Sequence, residues 1–275
     1  MPQVHGTAIL EGDIELGDGV EIGPYCILRG PIRLGSGTRL LGHAVLQGPL
    51  VIGAENLLWS GVALGMAPQS HRYDPFKPGP GVVIGDRNVF REHVTIHRAT
   101  HDTEPTRIGN RNFFMANSHA GHDCLVGDGC TFANGSLLAG HVEVEDGAIT
   151  GGNSAVHQFC RVGRGAMVSG GSAMSLDLLP YFTLTALNYA GSMNLVGMRR
   201  RGHSSAEIDA VRWVYRTICR SGLSLKSAVD RLEARREDPM VALYLAAIAK
   251  SRRGVVTRHG RDGSERRGGI PDPIA

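Results

Sequence analysis

The sequence predicts a mainly β fold, a parallel β-helix of hexapeptide repeats followed by an α-helical C-terminal domain. Three observations carry this. Aliphatic residues stand six apart from Val4 through Leu10, Leu16, Ile22, Leu28, Leu34, Leu40, Leu46, Ile52 and Leu58 to Leu64, and a sustained fixed period marks a coil that lays down one flat face per repeat. Glycine follows the aliphatic residue at Gly17, Gly23, Gly35, Gly53 and Gly65, where the chain leaves one face and turns a tight corner. From Ser204 onward the apolar spacing changes from six to that of a helix.

The repeat domain is expected over residues 1–180. Its series breaks after Gly65 and resumes out of frame at Ile84, Phe90 and Ile96, then runs from Ile108 to Met174. The break, 66–83, carries Pro68, Pro75, Pro78 and Pro80 and so reads as a projecting loop. A second excursion near Thr100 to Pro105 keeps the frame and reads as a smaller bulge. Pro180 closes the last recognisable rung, and 181–203 reads as a connecting segment within a second unit, 181–254. There, Ser204 with Glu207 makes a capping box, and Ile208, Val211, Tyr215 and Ile218 form an apolar stripe that ends before Gly222. A second helix is expected from Leu225 to Arg236, and a third from Asp238 as N-cap with Pro239 at its first position. Residues 255–275 are Gly- and Arg-rich with few apolar anchors and read as a disordered tail.

Composition narrows the function. The chain has 275 residues and is 42% hydrophobic, enough for a substantial core, and its 5% aromatic content suits a narrow prism. A formal charge of +3 does not indicate nucleic-acid binding. The five cysteines include no C-x-x-C pair, so neither a zinc knuckle nor a disulfide framework is indicated. With no long apolar run and no leader-like N-terminus, stable membrane insertion is not expected and the protein reads as cytoplasmic.

Three faces of six residues make a coil of eighteen, so residues eighteen apart stack at about 4.8 Å. Gly140 then lies one coil above His122, and Gln158 two. His119, His122, His141, His157 and Gln158 are expected along one edge, with Asp123 next to His122. A histidine near neutrality can take a hydroxyl proton, and a glycine-corner N–H can hold an oxyanion, which is the equipment of acyl transfer to an alcohol. The His119/His122 pair lacks a third histidine at the spacing of hexapeptide-repeat zinc enzymes, so no metal is expected.

The strings Ile84-Gly85-Asp86-Arg87-Asn88, Val94-Thr95-Ile96-His97-Arg98, His119 to Cys124, Leu138-Ala139-Gly140-His141-Val142, Ala155-Val156-His157-Gln158-Phe159-Cys160 and Arg200-Arg201-Gly202 give the chain its likeness. It resembles the acyl-carrier-protein-dependent UDP-N-acetylglucosamine O-acyltransferases, which begin lipid A synthesis. The resemblance implies a left-handed coil and a homotrimer with sites between subunits. It implies His122 as general base, Gly140 as oxyanion donor and Asp123 as the support of the base. His119, His141, His157 and Gln158 would line the sugar and acyl pockets, Asn194, Arg200 and Arg201 the nucleotide end, and Gly170 the end of the acyl tail. Phosphopantetheine would arrive on the acyl carrier protein, with no other cofactor. Ser70 and Arg72 stand where the family has aspartate and lysine, Val196 where it has glutamate, and Tyr189 in a shortened segment, which points to a possible change of acceptor, such as a 3-amino sugar. Arg212, Arg216 and Arg220 recur on one helix face as a landing stripe for the acidic carrier or a solvated face. A coenzyme-A-dependent transferase and a metal-dependent β-helix are the competing classes.

Overall fold

The computed structural model describes residues 1–101 and 103–257. Among these, the strands form three walls of a left-handed prism. Wall A runs from Gln3–Val4 to the hairpin Phe182–Ala186 and Tyr189–Met193, wall B from Ile9–Glu11 to Ala173–Met174, and wall C from Ile14–Leu16 to Arg161–Val162. Pairing is parallel except in that hairpin. His119 pairs with Leu137 and Leu137 with Ala155, a step of eighteen.

The repeated apolar positions point inward and are buried from Ile22 onward, whereas Val4 and Leu10 are 46% and 37% exposed at the open end of the coil. The interior is wider than an aliphatic axis requires. Phe90, Phe114 and Phe132 stack on wall A with centroids 5.2 and 4.3 Å apart. At most repeat glycines the requirement is close approach and not a left-handed backbone. A Cβ on Gly35 would lie 2.4 Å from the carbonyl carbon of Gly53 in the next coil. Gly65 combines both constraints, with φ of +81° and the Gln47 oxygen 1.9 Å from a Cβ.

Both excursions leave the same edge, between walls B and C. Residues 67–81 separate Ala63–Met66 from Val82–Ile84, and 98–105 separate Thr95–His97 from Thr106–Ile108. Val82 pairs with Thr106, so the second excursion adds one hexapeptide, which is why the frame survives it. The buried Arg98 guanidinium ties down the first excursion, donating to the carbonyls of Gly65 (3.1 Å), Pro75 (2.7 Å) and Lys77 (3.0 Å). The opposite edge, between walls C and A, is held by a buried polar ladder. Asn56 Oδ1 accepts from Asn88 N, Asn88 Oδ1 from Asn112 N, and Asn112 Oδ1 from Cys130 N, at 2.7–2.9 Å. These bonds satisfy corner amides that the wall ladders leave over.

The connecting segment is not structureless. Wall A continues past Pro180 through the hairpin, and helix α1, Leu195–Arg200, follows. Helix α2, Ser205–Cys219, starts with the Ser204–Glu207 capping box and buries the expected stripe. Helix α3 is Leu225–Glu233, shorter than the expected span to Arg236, and α4 is Pro239–Lys250, capped by Asp238. The helices close the upper end of the prism: Phe182 meets Tyr215 at 5.1 Å and Tyr244 at 5.4 Å, Tyr244 OH donates to Pro180 O and Tyr215 OH to Ala190 O. The expected tail needs correction at its start. Val255 and Val256 are buried, and Val256 N donates to Asp177 O at 2.8 Å, because two apolar side chains complete the rung that Asp177 begins. Residues 258–275 lie outside the described residues. Among the described residues no helix is long and apolar enough to cross a membrane.

Candidate active site

The edge between walls B and C turns through left-handed residues in three successive coils, Asp123 (φ 60°), His141 (φ 60°) and Phe159 (φ 63°). Left-handed non-glycine residues recur at other corners of the coil, Glu55, Arg87, Asn117 and Asn153 among them, so they mark the turn and not the chemistry. His122 precedes the first of them. Its Nδ1 lies 2.6 Å from Asp123 Oδ2. Its ring lies under Gly140, where a Cβ would fall 2.5–3.0 Å from ring atoms. Among the described residues the Gly140 N–H donates no hydrogen bond.

Asp123 is the most constrained group in the column, its side chain only 3% exposed. Burial alone would push its carboxyl up. The hydrogen bond with His122 and those donated by Thr100 Oγ1, Thr100 N and His101 N outweigh burial and hold it well below the usual carboxylate range. An ionised carboxylate only accepts, so His122 Nδ1–H donates to it, and the neutral imidazole so held has its lone pair on Nε2. Thr106 Oγ1 fixes the same turn by accepting from Asp123 N at 2.8 Å. The second excursion thus supplies the clamp on the aspartate. Sequence reasoning missed Thr100, His101 and Thr106; the hint was a whole extra hexapeptide beside the histidine column.

His141 meets His122 edge-on at 5.1 Å and stacks on Phe159 at 4.5 Å, with Nε2 3.5 Å from Asp123 Oδ2. Burial lowers its pKa. His119 faces outward from wall B, its Nδ1 2.8 Å from Thr95 Oγ1, and burial brings its pKa down to about 4. His97, edge-on to His119 at 5.2 Å, donates Nδ1–H to Ala67 O at 2.6 Å and so joins the base of the first excursion to the column. A cleft of about 940 Å³ extends from this edge, lined among others by His101, Asp123, Leu125, His141, Phe159 and Arg161.

The remaining candidates are spread out. His157 is exposed two coils above Gly121, with Nδ1 3.2 Å from the backbone oxygen of Gln158. Among the described residues no hydrogen bond or ring contact joins it to His122 or His141. Ser70 and Arg72 lie in the 67–81 loop, where Ser70 Oγ accepts from Arg72 N at 3.3 Å. Gly170 lies on the edge between walls A and B, where a Cβ would approach Gly152 O at 3.2 Å. Asn194 caps α1 and donates Nδ2–H to Gly165 O, and Arg201 donates to Gly147 O, both on the edge between walls C and A. Arg200 is exposed at the end of α1, and Tyr189 sits in the terminal hairpin. Within one chain the candidates occupy three different edges; His122, Asp123, Gly140 and His141 form the tightest group on the edge between walls B and C, where His157 and Gln158 also lie.

Comparison with known proteins is specific. The profile described as "Udp N-acetylglucosamine O-acyltransferase; Domain 2" matches residues 177–256, and that of bacterial transferase hexapeptide repeats matches 105–140. A Janthinobacterium sp. (strain Marseille) protein named acyl-acyl-carrier-protein–UDP-N-acetylglucosamine O-acyltransferase is 46% identical, covering 93% of this chain and 100% of that protein. A Pseudomonas putida (strain W619) protein of the same name is 44% identical over 93% of this chain and 99% of its own length. The crystal structure of the UDP-N-acetylglucosamine O-acyltransferase from Moraxella catarrhalis superposes with a TM-score of 0.86 at 38% identity, covering 92% of this chain and 99% of that one. The UDP-N-acetylglucosamine acyltransferase from Francisella novicida gives 0.88 at 33% identity, over 93% and 94%.

Proposed function

Because the chain belongs to the family of acyl-carrier-protein-dependent UDP-N-acetylglucosamine O-acyltransferases, we propose that it moves an (R)-3-hydroxyacyl group from acyl carrier protein to the 3-hydroxyl of UDP-N-acetylglucosamine at the His122 edge. The observation that carries the assignment is the 2.6 Å bond that holds the His122 ring beneath Gly140, whose N–H donates no hydrogen bond among the described residues. His122 takes the hydroxyl proton as the sugar oxygen attacks the thioester carbonyl. Asp123, ionised and buried, stabilises the imidazolium that forms. The Gly140 N–H receives the oxyanion of the tetrahedral intermediate. Collapse breaks the carbon–sulfur bond, and His122 returns its proton to the departing carrier thiolate. The phosphopantetheine comes with the carrier, and no other cofactor takes part.

The arginines at α1 suit a diphosphate, since guanidinium donors match phosphate oxygens. They stand on a different edge from His122, and so does Gly170. This separation supports a homotrimer in which each site combines edges of two neighbouring chains. A cytoplasmic location fits a substrate pair of a carrier-protein thioester and a sugar nucleotide. Mass spectrometry of the product formed from UDP-N-acetylglucosamine and a mixture of carrier-protein thioesters tests the reading. A 3-O-acylated sugar nucleotide is expected; acylation only of a 3-amino analogue, or only from coenzyme A thioesters, would replace it with one of the competing classes.

A further inference from the structure

The same edge carries donors that the acyl-transfer reading does not use together. His101, from the in-frame excursion, Asp123, from one coil, and His141, from the coil above, each bring a ligand atom within 4.8 Å of the other two. His141 Nε2 and Asp123 Oδ2 are already 3.5 Å apart, close to the separation of about 3.4 Å that two donors adopt around a tetrahedral ion with bonds near 2.0–2.1 Å. His101 is exposed and meets His141 edge-on at 5.4 Å, so rotation of one surface side chain completes the triangle. All three residues line the cleft, which leaves a fourth position open to water or an incoming ligand.

We propose that His101, Asp123 and His141 form a binding site for a borderline divalent cation, Zn²⁺ or a chemical equivalent such as Co²⁺, and that its occupancy switches the enzyme off. Two imidazoles and one carboxylate favour such ions over Mg²⁺ and Ca²⁺, which prefer shells of oxygen. The switch follows from the shared atom. Asp123 Oδ2 accepts the His122 Nδ1–H, and a cation seated on that oxygen withdraws it from the imidazolium it would stabilise and adds positive charge beside the base. Binding stands on the three donors alone; the switch rests on the role proposed for His122.

The test separates the two. Equilibrium dialysis of the purified full chain with Zn²⁺, without substrates, is expected to show one ion per chain, and His101→Gln to weaken binding at least tenfold. His101→Cys loaded with Co²⁺ is expected to show a thiolate-to-cobalt charge-transfer band in the near ultraviolet. The Zn²⁺ concentration that halves turnover should rise at least tenfold in His101→Gln, each protein being compared with its own metal-free rate. Undiminished Zn²⁺ binding in His101→Gln, a missing band in His101→Cys, or equal binding of Mg²⁺ overturns the site. Full turnover at full occupancy overturns the switch, and with it the assignment of Asp123 as partner of the base, while the binding data stand.

Discussion

At the residue scale the site rests on one aspartate that is both buried and crowded with donors. His122→Ala is expected to lower kcat by about 10²–10⁴-fold, the range of a positioned general base, while circular dichroism and chromatographic size stay unchanged. Gly140→Ala tests the oxyanion position. Its new methyl would fall 2.5 Å from the His122 ring, so a loss of about 10²–10³-fold in kcat is expected, and a rate within threefold of the parent would refute the assignment. The buried histidines set the response to acid. His119 titrates near 4 in the folded chain against an ordinary 6.5, and His97 and His141 are displaced the same way. Between those values the unfolded chain binds protons that the folded chain refuses, so stability falls as pH falls from 6.5 toward 4. Asp123 is displaced downward too, so its contribution is complete above its unfolded value and is lost only when pH falls through its folded one. Melting curves at pH 7 and 5 should therefore differ, and His119→Gln should narrow the difference by about 2–4 °C, the shift about 1 kcal/mol produces in a chain of this size.

At the element scale, the coil, its period and the three long helices follow from the sequence because each is a local pattern: six for the walls, helical spacing for α2, α3 and α4, with Ser204 and Asp238 as caps for α2 and α4. Elements without a repeat were not legible. The hairpin Phe182–Ala186 with Tyr189–Met193 has no turn signature and is fixed by tertiary contacts, such as Tyr215 OH on Ala190 O. Val255 and Val256 are two apolar residues whose partner, Asp177, lies far back in the chain. The 67–81 loop was legible as a loop from its prolines, but not its fastening, because Arg98 binds three carbonyls that carry no sequence identity. Arg98→Ala should release it. Trypsin cleavage within 67–81 is expected to accelerate at least tenfold and the KM for the sugar nucleotide to rise more than kcat falls. Equal cleavage rates in the two proteins would show that the loop is held by other means.

At the scale of the whole molecule, the column of His122, Asp123 and Gly140 was readable by counting in eighteens, whereas the placement of Arg201, Asn194 and Gly170 on other edges was not, because the period says which residues stack and not which corners meet in an assembly. Mixed trimers test the proposed division of labour. If one chain supplies His122 and its neighbour Arg201, equal co-expression of His122→Ala and Arg201→Ala chains should regain about a quarter of parental activity, since random cyclic trimers restore about one site in four. Sites confined to single chains would regain none. The shared edge of the two excursions has a further consequence. Because both leave the wall at a corner and return in register, new binding segments can be grafted at that seam without disturbing the masonry, and substrate preference in this architecture is free to diverge loop by loop while the base, its aspartate and the glycine above them stay where the courses put them.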